Sequence, residues 1–237
     1  MDLTEQERKF RDEAVAFAKA HRKAIAARLT DTATYLPEES PVSVFMAGSP
    51  GAGKTEASIE LVARVGGRIL RIDPDDLRGE LPGYCGDNSW LLQRAVSVLV
   101  DRILDRAFSQ SLSFLLDGTL SHYDQAAHNI ERSLRKGRAV QVLYVYQEPA
   151  LAWKFVQARE ALEGRHIPLD SFIDQYFAAR DVVNRLKAQF GREIRVDLLQ
   201  KNTDNSTRLY ENNIVEIDRH VPEKYDATSL HQMLGPR

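Results

Sequence analysis

Val42-Ser43-Val44-Phe45-Met46-Ala47-Gly48-Ser49-Pro50-Gly51-Ala52-Gly53-Lys54-Thr55 joins a short apolar run to a glycine-rich turn that ends in lysine and threonine. The run through Ala47 has strand character, and the residues after the turn place Ile59, Leu61 and Val62 at helical spacing up to Gly66-Gly67. Gly48, Gly53, Lys54 and Thr55 therefore satisfy Gly-x-x-x-x-Gly-Lys-Thr between a strand and a helix, the context in which this pattern is a phosphate-binding loop. Its glycines let successive backbone N–H groups turn inward toward phosphate oxygens, and the positive end of the helix adds to the attraction. Gly48, Ser49, Pro50, Gly51, Ala52, Gly53, Lys54 and Thr55 are the candidate ATP contacts. Lys54 is expected to reach the outer phosphates and the Thr55 hydroxyl to ligate Mg²⁺.

On either side of this loop, strands and helices alternate. Arg68–Ile72 reads as a strand ending in Asp73-Pro74-Asp75-Asp76, and a helical pattern runs from Trp90 to Phe108. Leu112–Leu116 is a buried strand ending at Asp117-Gly118-Thr119. A helix over Tyr123–Lys136 leads to the strand Ala139–Val145. Helices follow from Pro149 to Gly164 and from Ser171 to Phe190. Late strands are expected at Ile194–Leu199 and Ile214–Ile217, with the polar stretch Lys201–Arg208 as the turn between them. This order predicts an α/β P-loop kinase fold, a mostly parallel sheet with helices on both faces. One domain is expected over 1–237: a helical extension (1–40), a kinase core (42–200) and a C-terminal strand and helix (201–237). In the extension, Phe10, Ala14, Phe17, Ile25 and Leu29 mark an amphipathic helix with room for one break. It either packs on the domain's flank or docks another protein.

Composition narrows the function classes. With 43% apolar and 28% charged residues and a net charge of −2, the chain has no global field to attract nucleic acid or an anionic membrane. The single Cys85, read as half-buried, excludes an internal disulfide. The acidic start Met1-Asp2-Leu3-Thr4-Glu5 lacks signal-peptide order and no apolar run reaches membrane-spanning length, so a cytoplasmic protein is expected.

The remaining chemistry lies at strand ends, where ligands of open α/β sheets collect. One of Asp73, Asp75 and Asp76 is a candidate base for a substrate hydroxyl, while another caps the following helix. Asp117 is placed like the acid that holds magnesium directly or through water, or simply closes a strand. Arg159 and Arg165 flank a break at Gly164 and suit either a cationic lid over a transferring phosphoryl group or a solvated helix face.

Taken in order, Gly48–Thr55, then Arg71-Ile72-Asp73-Pro74-Asp75-Asp76-Leu77-Arg78 with Pro82-Gly83-Tyr84, then Leu115-Leu116-Asp117-Gly118-Thr119, then Arg159 and Gly164-Arg165-His166-Ile167-Pro168, the chain resembles the zeta toxins, P-loop kinases of toxin–antitoxin pairs. The resemblance covers about 42–170. It implies a kinase that phosphorylates the 3′-hydroxyl on the amino sugar of UDP-N-acetylglucosamine, blocking cell-wall precursor synthesis, with a proteinaceous antitoxin as partner. It further implies Asp75 as base, Lys54 as phosphate ligand, Arg159 and Arg165 as lid arginines, and Asp117, Thr119 and Arg78 on the acceptor side. The family often has Glu where this chain has Asp117, a change that shifts the side chain between acceptor and magnesium. Two other readings share the motifs: a housekeeping or resistance kinase for a small molecule or nucleotide, and a regulatory module that holds ATP without transfer.

Overall fold

The computed structural model describes residues 3–164, 166–204 and 206–235. The sheet has six strands, β1 (Val42–Ala47), β2 (Leu70–Ile72), β3 (Phe114–Leu116), β4 (Ala139–Tyr146), β5 (Ile194–Lys201) and β6 (Thr207–Glu211). Their spatial order is β2-β3-β1-β4-β5-β6, with β1 to β5 parallel and β6 antiparallel. β1 is central and buried on both faces, which is why it reads as a continuous apolar run rather than an alternating one. The helices are α1 (Glu5–Leu29), α2 (Lys54–Arg64), α3 (Gln93–Ser109), α4 (Tyr123–Arg135), α5 (Pro149–Glu163), α6 (Leu169–Phe190) and α7 (Ala227–Leu234).

The two faces of the sheet build different cores. On one, Phe45, Phe114, Val142, Tyr144 and Val196 join buried residues of α3, α4 and α6 and the Ala14, Ala18, Ile25 and Ala26 stripe of α1. On the other, Val44, Met46, Leu115, Leu143 and Val145 pack with Ala57 of α2. A third cluster ties Ala152 and Val156 of α5 to Phe172 and Ile173 of α6 and Leu230 of α7. α1 runs without a break. Thr4 and Glu7 form a reciprocal capping box at its start, at 3.2 and 2.7 Å, and its small-residue face packs along α3. The flank-packing role is thus filled by the inner face of the helix.

Two expectations are corrected. The last strand is Thr207–Glu211, which starts at the end of the Lys201–Arg208 stretch read as turn and runs past it, and Ile214–Ile217 is not a strand: Ile214 donates its N–H to the Val196 carbonyl at 2.8 Å, and Ile217 opens a 3-10 turn. β6 is an edge strand with nearly all its side chains exposed, so backbone pairing makes it and no apolar alternation announces it. Cys85 is exposed rather than half-buried. Among the described residues, no helix is long and apolar enough to cross a membrane.

Candidate active site

Chain order reverses at β1, whose neighbours are β3 and β4, and the loop after β1 therefore lies at a switch point, where open α/β sheets bind their ligands. That loop is Gly48–Gly53, with α2 starting at Lys54. Gly48 has φ +135°, and a Cβ there would lie 2.3 Å from the Val145 carbonyl oxygen, so only glycine fits. Its N–H donates to Thr119 O at 3.2 Å, tying the loop to the end of β3. Lys54 Nζ lies over the loop and donates to Gly48 O at 3.0 Å and Ser49 O at 2.6 Å. Thr55 follows it, half-buried in the first turn of α2.

The acids after β2 and β3 are brought together because these strands are adjacent, with Ile72 opposite Leu116. Asp117 N donates to Ile72 O at 2.8 Å, and the Asp117 side chain is only 3% exposed. Its carboxylate accepts from Ser58 Oγ of α2 and from Arg71 Nη2, both at 2.7 Å. Arg71 is the hub of the cluster: Nε reaches Ser58 Oγ at 2.9 Å, Nη1 reaches Asp76 at 2.9 Å, and Nη2 also pairs with Asp73. Burial opposes its charge, but Asp73, Asp117 and Asp76 outweigh burial and raise the Arg71 pKa above the ordinary value. For Asp73 the balance is opposite. Burial first, then the Asp75 and Asp117 charges, push its carboxyl up to about 6, against the Asp75 N–H and Arg71.

Asp75 stands at the mouth of this cluster, its side chain 28% exposed. Its N–H donates to Asp73 Oδ1 at 2.8 Å, its Oδ1 meets Arg78 Nη1 at 2.5 Å, and its Oδ2 faces Arg159 Nη2 of α5 at 3.9 Å. The structure thus brings Asp75, Arg78 and Arg159 to one point. Thr119 Oγ1 lies 3.0 Å from Ser121 Oγ. Arg165 lies outside the described residues. Asp76 does not cap the next turn: Asp76–Glu80 is a short 3-10 helix without a side-chain cap, and the Asp76 carboxylate turns to Arg71 instead. Sequence reasoning gave no role to Arg71 or Ser58. The available signal was an arginine between two apolar residues of a buried strand, where alternation aims it at the α2 face.

A family model described as zeta toxin matches residues 25–215. The chain belongs to the zeta toxin family. Among solved structures, this zeta toxin is similar to a chain from the PezAT chromosomal toxin–antitoxin system of Streptococcus pneumoniae, at 18% identity and TM-score 0.62 over 100% of this chain and 91% of that one. It is also similar to a chain of the AvrRxo1-ORF1:ORF2 crystal structure with ATP, at 16% identity and TM-score 0.60 over 91% of this chain and 71% of that one. At these identities the likeness is one of fold. No curated protein matches the sequence.

Proposed function

We propose that this zeta toxin is an ATP-dependent phosphotransferase that acts on a sugar hydroxyl, the 3′-hydroxyl of the amino sugar in UDP-N-acetylglucosamine or a related UDP-sugar, and so inhibits cell-wall synthesis in the cytoplasm. The observation that carries the reading is the Asp75 carboxylate, held by Arg78 on one oxygen and faced by Arg159 on the other. It is linked to the phosphate-loop helix through Asp73, Arg71 and Ser58. ATP in the AvrRxo1 complex supports the choice of nucleotide, and the toxin–antitoxin context of PezAT supports a proteinaceous antitoxin.

In this reading, the loop N–H groups and Lys54 hold the phosphates while Asp75 accepts the proton of the acceptor hydroxyl. The acceptor oxygen bonds to the γ-phosphorus as the bond to ADP breaks. Charge on the transferring oxygens is met by Arg159 and Arg165, planar cationic donors. Thr119 lies on the acceptor side. Among the described residues, no three His, Cys, Asp or Glu are grouped to hold a metal alone. The donors do fit Mg²⁺ brought with a nucleotide, since this ion takes one or two protein oxygens plus phosphates and water. Thr55 would hold it directly, and Asp117, whose carboxylate is engaged by Ser58 and Arg71, through water. Magnesium would neutralise phosphate charge there.

The test is incubation with ATP, Mg²⁺ and a panel of UDP-sugars, nucleotides and dinucleotides, read by mass spectrometry. A UDP-sugar heavier by one phosphoryl group is expected, and expression without an antitoxin should arrest bacterial growth. Transfer only to another acceptor overturns the sugar assignment. ATP binding with no transfer to any acceptor overturns the enzyme.

A further inference from the structure

We infer that Arg78 is a positioning residue, acting on the acceptor hydroxyl through Asp75 instead of touching the acceptor; this rests on Asp75 being the base, as proposed above. Four observations lead to it. The Arg78 side chain is only 4% exposed, so an acceptor in the crevice meets Asp75 first, at 28%. Among the described residues, Asp75 is its one side-chain partner, at 2.5 Å, and the buried Arg78 Nε has no hydrogen bond. Arg138, an equally buried arginine, shows what a structural clamp looks like: it donates to Ser43 Oγ, Val42 O and Leu112 O and lies over the Phe108 and Phe114 rings. Arg78 makes no such set. Lastly, both members of the pair sit on one tight turn, where Arg78 N donates to Asp75 O at 3.2 Å and Leu81 N to Arg78 O at 3.0 Å, between the buried Leu77 and Leu81.

Together these contacts fix the base. The Asp73 carboxylate holds the Asp75 backbone, Arg78 holds Oδ1, and Oδ2 faces Arg159. A charge-assisted pair of this kind limits rotation of the carboxylate. Because displacements of about 1 Å at a reacting group can cost 10²-fold, orientation alone is enough to matter. An arginine on the acceptor itself would show mainly in KM. One that orients the base shows in kcat and has no effect once the base is gone.

The experiment is a double-substitution cycle on the full chain, measuring kcat and both KM values for wild type, Arg78→Met, Asp75→Asn and the pair, with ATP binding and thermal melting as fold controls. Arg78→Met should lower kcat about 10-fold or more with acceptor KM unchanged, and in the Asp75→Asn background it should cost less than about 2-fold. Arg78→Lys, which keeps a cation beside Asp75, should recover part of kcat, and it carries the test if the Met variant does not fold. A rise in acceptor KM overturns the inference, as does an Arg78→Met loss that persists undiminished on a slowed Asp75→Asn enzyme. Asp75→Asn as active as wild type overturns the base assignment itself, and this inference with it.

Discussion

Gly51 of the phosphate loop lies against Ala152 of α5, so close that a Cβ on Gly51 would stand 2.1 Å from the Ala152 carbonyl oxygen. The loop that would cradle phosphates and the helix that carries Arg159 are therefore in backbone contact. At φ +71°, Gly51→Ala adds a left-handed penalty of about 1 kcal/mol to a clash with main chain that cannot rotate away. The variant should lose about 2 kcal/mol or more of stability and bind ATP at least about 10-fold more weakly. Thermal melting and calorimetric titration check both; a variant with wild-type melting and affinity would show that loop and helix are not coupled.

Lys54→Ala should separate binding chemistry from folding. Lys54 donates to two loop carbonyls, Gly48 O and Ser49 O, and stands half-buried where water can serve both. Stability should change by about 1 kcal/mol or less. Transfer should fall by about 10² or more, the scale for removing one fixed donor to a transition-state charge. Turnover at the wild-type rate would remove the loop from the mechanism.

Asp73 makes stability depend on pH. Its folded pKa, pushed up to about 6, lies above the ordinary 3.8, so the ionised form is disfavoured by folding. The contribution of Asp73 is therefore most favourable below about pH 4 and is lost as pH rises through 6. Asp73→Asn cannot ionise. Its melting temperature relative to wild type should climb between pH 4 and 6 and level off above 7, with a gap of at most about 3 kcal/mol for a shift of this size. A gap that stays constant with pH would mean that Arg71 fully compensates the carboxylate.

These residues also show how far sequence reading reaches. β1 and the phosphate loop were legible because one apolar run, two spaced glycines and Lys54-Thr55 have few alternative structures. Motif order singled out Asp75 and Arg159, which the fold places 3.9 Å apart, and the zeta toxin match extends that resemblance from about 42–170 to 25–215. β6 was not legible, because an exposed edge strand carries no burial signal. Nor was the Arg71 hub. Its partners Ser58, Asp73, Asp76 and Asp117 come from three segments that only the β2–β3 pairing and the docking of α2 bring together.

Arg159→Lys keeps a charge near Asp75 but loses the planar fork. The Arg159 side chain is 43% exposed and lies 3.9 Å from Asp75, so it has room to turn toward a transferring phosphoryl group. Under the proposed lid role, turnover should fall about 10-fold or more while ATP affinity stays within about 2-fold, the pattern of a side chain used in the transition state. Single-turnover kinetics with a parallel binding measurement decide it; equal losses in affinity and rate would make Arg159 a nucleotide contact.

Asp75 and Asp76 are neighbours in sequence with opposite surroundings. Asp76 is 72% exposed and pairs with Arg71 at 2.9 Å at the rim, where such a pair contributes about 1 kcal/mol or less. Asp75 sits between Arg78 and Arg159 at the crevice. Asp75→Asn keeps the side-chain shape and can still accept a hydrogen bond from Arg78, but it cannot take a proton, so transfer should drop about 10² or more with ATP binding intact. Asp76→Asn should leave transfer near wild type and lower stability only slightly. Both variants keep one carbonyl oxygen for their arginine, so a difference between them isolates proton transfer from ion pairing. If Asp76→Asn is the slow enzyme and Asp75→Asn the fast one, the base is misassigned and the alignment with the family is out of register through Ile72–Arg78.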